Sequence, residues 1–307
     1  MPLRNSLRYW FDIFRRASRY WLDAQAFVYA AALAFFTVFS IAPVVIVAVS
    51  VVGLVLGEQA AQGELMTRLQ AAVGEEAAGF VQTAVAGAQI ENAGLAPTLM
   101  GFGLILLGAT AVFAQMQKSL NAIWSVAPNP NRNTVMLLVK SRMMSLAVVL
   151  AIGFVLLVSL LLSVAVRAVM AFAENWLPVP AWSLGTIDVL LSLVVVTLLF
   201  AAMFRILPDV LLKWRDVWVG AAVTSVLFAI GRALIAIYLA NTATGSAYGA
   251  AGSLVLLLMW VNYSSLILLF GAAITRAHLE ARGGSVVPRP TAVAVQRELM
   301  TARPPGA

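Results

Sequence analysis

Arg232 and Asp188 are charged side chains that fall inside long apolar runs of this chain. A charge in hydrocarbon is costly, so it is either neutralised by a partner or exposed to a solute path. Arg232 lies roughly 12 Å and Asp188 roughly 6 Å inside the outer ends of their runs at helical rise. An arginine reaches several ångströms along its stem, so the two can meet. Asn262, Tyr263, Ser264 and Ser265 form a second polar group, at the middle of another apolar run. Midplane polar groups line solute paths in transporters, or join helices by hydrogen bonds worth about 0.6–2 kcal/mol. Four consecutive residues cover every face of a helix. Ser264 and Ser265 are therefore assigned to packing, and Asn262 and Tyr263 join Arg232 and Asp188 as candidate path-lining residues.

Little else in the chain can do chemistry. There is no cysteine, which removes disulfides, thiolate catalysis and cysteine metal sites, and His278 is the single histidine. The acids expected on the inner side (Asp12, Asp23, Asp209, Asp216, Glu280 and Glu298) are scattered, whereas metal-dependent phosphodiester cleavage needs them clustered. Glu75 and Glu76 are adjacent and would point apart on a helix. GFGLILLG (101–108) fails the phosphate-loop spacing and sits in an apolar run. No catalytic residue, metal site or cofactor is expected.

The elements that must hold these residues follow from composition. Hydrophobic residues make up 62% of the 307 and charged ones 11%, with a mean hydropathy of +0.94. A water-soluble domain has about 45–50% apolar and about 25% charged residues. The expected fold is an all-α integral membrane protein. Six runs, 31–56, 95–116, 143–166, 184–207, 217–240 and 249–275, are each long enough to cross a hydrocarbon core of about 30 Å. Seventeen of the twenty Lys and Arg residues fall on one side of this six-helix bundle and only Arg68 and Arg167 on the other; Arg232 is the remaining one. The positive-inside rule then puts both termini in the cytoplasm. Net charge is +7 and the pI about 10.2. Topology accounts for that basic face, so no nucleic-acid partner is expected.

Residues 1–28 mix aromatic and basic positions and have no apolar core of a cleavable signal. They read as an interfacial amphipathic helix on the inner leaflet, with arginines near anionic headgroups. Residues 29–280 form the membrane domain, in which 57–94 reads as short amphipathic helices capping the outer face. The Gly/Pro-rich stretch 281–307 is expected to be disordered. Pro43 should kink the first span. Gly245, Gly249 and Gly252 mark a close helix approach or a tight entry to the last span. Asp209, Lys213, Arg215 and Asp216, in LPDVLLKWRDVW, sit at the inner interface beside tryptophans. They either anchor that loop or gate a path.

Four blocks are similar in kind and order to one family: ALAFFTVFSIAPV (33–45), GATAVFAQMQKSLNAIW (108–124), LPDVLLKWRDVWVGA (207–221) and SAYGAAGSLVLLLMWVNYSSLILLFGA (246–272). Together they resemble the YihY/BrkB family of bacterial inner-membrane proteins. The resemblance implies a six-span, multi-pass protein of the bacterial inner membrane. The family's former label, ribonuclease BN, does not suit these residues, which form no nuclease site. Its other descriptions are a virulence or serum-resistance factor and a transporter of envelope lipids or other amphiphiles. The expected function is transport or amphiphile translocation without ATP hydrolysis. The expected partners are membrane lipids, an amphiphilic or small-molecule substrate and further copies of the chain. The alternatives are a non-transporting structural protein of the envelope and, third, a membrane-associated ribonuclease.

Overall fold

The computed structural model describes residues 2–56, 110–130, 181–242 and 249–296, together with short helical stretches at 63, 65–67, 70, 78–79 and 81–83. The run 143–166, all but the end of 95–116, Gly245 and most of the outer-face segment lie outside the described residues. Helix α1 covers Pro2–Asp23 and α2 covers Ala26–Leu56, continuing through Pro43. Helix α3 is residues 110–123. Helices α4 (Ala181–Ile206), α5 (Trp214–Thr242) and α6 (Gly249–Ala281) follow. The apolar runs 31–56, 184–207, 217–240 and 249–275 fall on α2, α4, α5 and α6. Among the described residues, Trp214–Ile235 and Leu254–Ala281 are long and apolar enough to cross a membrane, with 22 and 28 residues. Arg8–Asp23 and Ala26–Ile41, bent by 64°, make a third crossing if counted as one span.

Helix ends are set by local chemistry. Gln25 adopts a left-handed φ of 57° and ends α1, where the N–H of Ala24 still bonds Tyr20 O at 3.0 Å. Asp216 reaches back to the backbone N–H of Lys213 at 2.9 Å, the side-chain half of a capping box at the start of α5. Gly283, at φ 77°, takes the left-handed position after α6, and the N–H of Gly284 bonds Leu279 O.

Helix α6 is the central post and packs on α1, α2 and α5, while α5 packs on α4. The α5–α6 crossing is close because it is reciprocal. Gly220 sits against Thr275 and Gly271 against Thr224, so each helix offers a Gly-x-x-x-Thr step to the other. Each threonine hydroxyl donates to the carbonyl of its own helix's glycine, Thr224 to Gly220 and Thr275 to Gly271, and so needs no other acceptor. Small residues at such steps let helices approach where lipid supplies no hydrophobic drive. This close crossing lies toward the C-terminal half of α6, and Gly245 is outside the described residues. Gly249 and Gly252 lie in the first turn of α6.

Residues 282–296 contradict the expectation of disorder. After Gly283 the chain runs back under the bundle. Pro288 bridges Val210, and Ala292–Ala294 (β2) pairs antiparallel with Val126–Pro128 (β1). Among the described residues the fold is thus helical with one small two-stranded sheet. The strap is held because its backbone groups have partners: Leu211 N–H bonds Val287 O at 2.9 Å, and Arg289 N–H bonds Asp209 O at 2.8 Å. Trp124, Val126 and Val210 form a buried patch beneath it, with Leu279 and Val286 packed against them.

A methyl group at Gly220 would lie 2.5 Å from the Gly271 carbonyl oxygen, and one at Gly271 would overlap Thr224. Gly220→Ala and Gly271→Ala should each lower stability by about 1–3 kcal/mol. Gly79→Ala, at a helical position where a methyl meets nothing within 4 Å, should not lower it. Thermal unfolding in detergent checks both.

Candidate functional site

At the end of the bundle that carries the last turns of α6, named the inner end after the expected cytoplasmic termini and the opposite half the outer, polar side chains are tied into backbone carbonyls. Arg276, on the last turns of α6, is the hub. Its Nη1 donates to Ile123 O at 2.6 Å and to Ser125 Oγ at 3.0 Å, and its Nε donates to Glu280 Oε1 at 3.0 Å. Its guanidinium lies 4.2 Å from the Tyr20 ring centroid, and the Tyr20 hydroxyl donates to Glu280. One arginine therefore joins α1, the end of α3 and α6. Burial first, and then the hydrogen bond to Glu280, push the Tyr20 phenol above its usual range, so it stays a donor. Nearby, the Tyr9 hydroxyl and His278 Nδ1 are 3.1 Å apart, and Trp10 lies parallel to the imidazole.

The α4–α5 connection is fastened from both sides. The Asp209 carboxylate accepts from Asn121 Nδ2 at 2.8 Å and Gln117 Nε2 at 3.2 Å, and its N–H donates to Asn121 Oδ1 at 2.8 Å. Arg289 donates through Nε to Val210 O at 3.3 Å and through Nη2 to Arg205 O at 3.1 Å. The second bond caps a carbonyl at the end of α4, where the helix dipole favours a cation. Arg205 lies over Trp214, 4.5 Å from its centroid. Asp209 and Asp216 are thus spent on holding the loop, while Lys213 and Arg215 are exposed. Sequence reading missed Arg276 and Arg289. The one local signal was the i,i+4 spacing of Arg276 and Glu280.

The outer half of the bundle is packed differently. Most of α6 from Ser265 to His278 is buried, whereas most of Leu254–Ser264 is only half-buried. Leu257 and Trp260 are exceptions; they pack with Met66, Ala78 and Val81 of the outer-face segment. Arg232 is exposed on α5, and Asn262 is half-buried. Thr197 and Ser225 hydroxyls meet at 2.7 Å and fix the register of α4 against α5. Counting seven residues from each places Arg232 level with Leu190, within a turn of Asp188. Tyr263 is taken up by packing: its ring covers Gly231 and its hydroxyl donates to Leu227 O at 3.4 Å. Ser40 and Ser264 hydroxyls are enclosed without a hydrogen-bond partner among the described residues. No group of three or more His, Asp or Glu side chains able to hold a metal ion occurs among the described residues.

A family model described as "Virulence factor BrkB" matches residues 17–295. A UPF0761 membrane protein of Idiomarina loihiensis is 26% identical over 184 residues, covering 58% of this chain and 60% of that one. One from Albidiferax ferrireducens is 30% identical over 193 residues, 62% of this chain and 44% of its own length. YfkH of Bacillus subtilis, whose name describes it as ribonuclease-like, is 28% identical over 189 residues, 57% and 64% of the two chains. The chain thus spans less than two thirds of the length of these relatives. No solved structure matches.

Arg276→Met removes three hydrogen bonds of a charged group, which should cost about 2–4 kcal/mol. Arg276→Lys should recover little, because an ammonium cannot reach the carbonyl, hydroxyl and carboxylate at once. Unfolding midpoints in detergent decide this.

Proposed function

The chain belongs to the virulence factor BrkB family of membrane proteins, and on that footing we propose that it moves an amphiphilic solute across the bacterial inner membrane without hydrolysing ATP. In this reading it has six spans, cytoplasmic termini and further copies of itself as partners. The observation that carries the reading is the unequal packing along α6: closed on most sides near its inner end, looser at its outer half. Arg232 and Asn262 belong to the looser half, and the register brings α4 at Asp188 to the level of Arg232. A cation at that depth attracts the anionic head of an amphiphile while the tail remains in apolar surroundings. Pro43 and the glycines at the start of α6 are the candidate bending points.

The clamped inner end also favours a second reading, a non-transporting structural protein of the envelope. Flux separates the two. In proteoliposomes, wild type should move a fluorescent anionic phospholipid faster than protein-free vesicles. Arg232→Met should slow that movement about tenfold, or ~1.4 kcal/mol at the limiting step. Arg232→Met with Asp188→Leu should keep wild-type thermal stability and remain slow. Wild-type vesicles no faster than empty ones would leave the structural reading.

A further inference from the structure

Helix α1 has three faces, and the bundle uses only one of them. Ile13 and Ala17 are buried, with Tyr9 and Tyr20 on the same stripe, and this face meets α6. The side-chain contacts that α1 makes with α6, from Tyr9 to Trp21, fall between residues 266 and 280, so α1 crosses the inner end of α6 rather than running along it. Its 64° inclination to α2 agrees with that steep crossing. The Trp21 indole N–H donates to Leu266 O at 3.1 Å, pinning the end of the crossing.

Beside the bundle face lies an apolar edge. Phe11 is 69% and Leu22 57% exposed, with Trp10 and Phe14 partly exposed next to them. Beyond that edge Arg8, Arg15 and Arg19 recur at helical spacing, all exposed, and Arg16 follows. Asp12 is exposed among them and Asp23 ends the helix, so four cations face two acids.

We propose that this outer side of α1 is a binding surface for anionic phospholipid headgroups of the inner leaflet, with Phe11 and Leu22 seated among the acyl chains and Arg8, Arg15 and Arg19 on the phosphates. An apolar edge bordered by arginines is the pattern of a helix lying in a membrane surface. Polybasic segments beside a span are drawn to anionic lipid. The crossing angle holds both edges near the plane of the interface, and the bundle face fixes which way they point. The inference needs only the membrane assignment, so it stands or falls independently of transport.

The chain's lack of cysteine allows a direct test. Full-length Phe11→Cys and Asp12→Cys proteins are spin-labelled and reconstituted in phosphatidylcholine vesicles, with or without about one third phosphatidylglycerol. With phosphatidylglycerol, the label at position 11 should meet oxygen several-fold more readily than an aqueous nickel chelate, and the label at 12 the reverse. Without it, or with Arg8, Arg15 and Arg19 all changed to Gln, the label at 11 should move toward water. A label at 11 equally open to the chelate in every vesicle overturns the proposal. So does one shielded from both reagents, which would mean a protein partner or second copy covers the face. A depth indifferent to lipid charge overturns the headgroup assignment.

Discussion

The closeness of α5 to α6 is the constraint on which the rest depends. Two glycines remove the side chains that would hold the helices apart, and two threonines fill the gaps while satisfying their hydroxyls on their own helices. Lipid tails are as apolar as leucine, so a membrane bundle gains little from hiding apolar side chains and much from close contact. With that contact made, α6 can be enclosed: α1 and α2 pack on it as well, and α4, which packs on α5, reaches it with Phe204 at Gly271.

The inner end shows how such a bundle handles polarity. Arg205, Arg276 and Arg289 each donate to backbone carbonyls, and Arg276 and Arg205 also lie over aromatic rings. These carbonyls belong to helix ends and connections, the places where helical bonding leaves acceptors over. Ion pairing plays a smaller part. Asp209 is bound by two amide side chains, and Glu280 shares its charge between Arg276 and a phenol. Among the described residues, the result ties α1, α3, α6 and the α4–α5 connection together at this end.

Much of this was legible beforehand. Apolar runs longer than a soluble helix needs marked α2, α4, α5 and α6, and the aromatic–arginine pattern marked α1. The strap was not legible. Ala292–Ala294 pairs with residues about 166 positions away, and three-residue strands carry no pattern of their own. Its prolines and glycines signal a breaker equally well whether the chain beyond is free or pinned. The close crossing was missed for a similar reason: Gly220 and Gly271 are ordinary until each meets the other's threonine. The central position of Tyr263 in its run gives no sign that its ring lies against Gly231.

A closed inner end and a looser outer half together make the central claim about function, and substituted-cysteine labelling tests it most directly. Single thiols at positions 262 and 273 would be challenged with a membrane-impermeant maleimide applied from the outer side of sealed vesicles. The account predicts labelling at 262, where Asn262 is half-buried, and none at 273, where Ala273 is fully buried in α6. Protection at both positions, or reaction at 273, would contradict it.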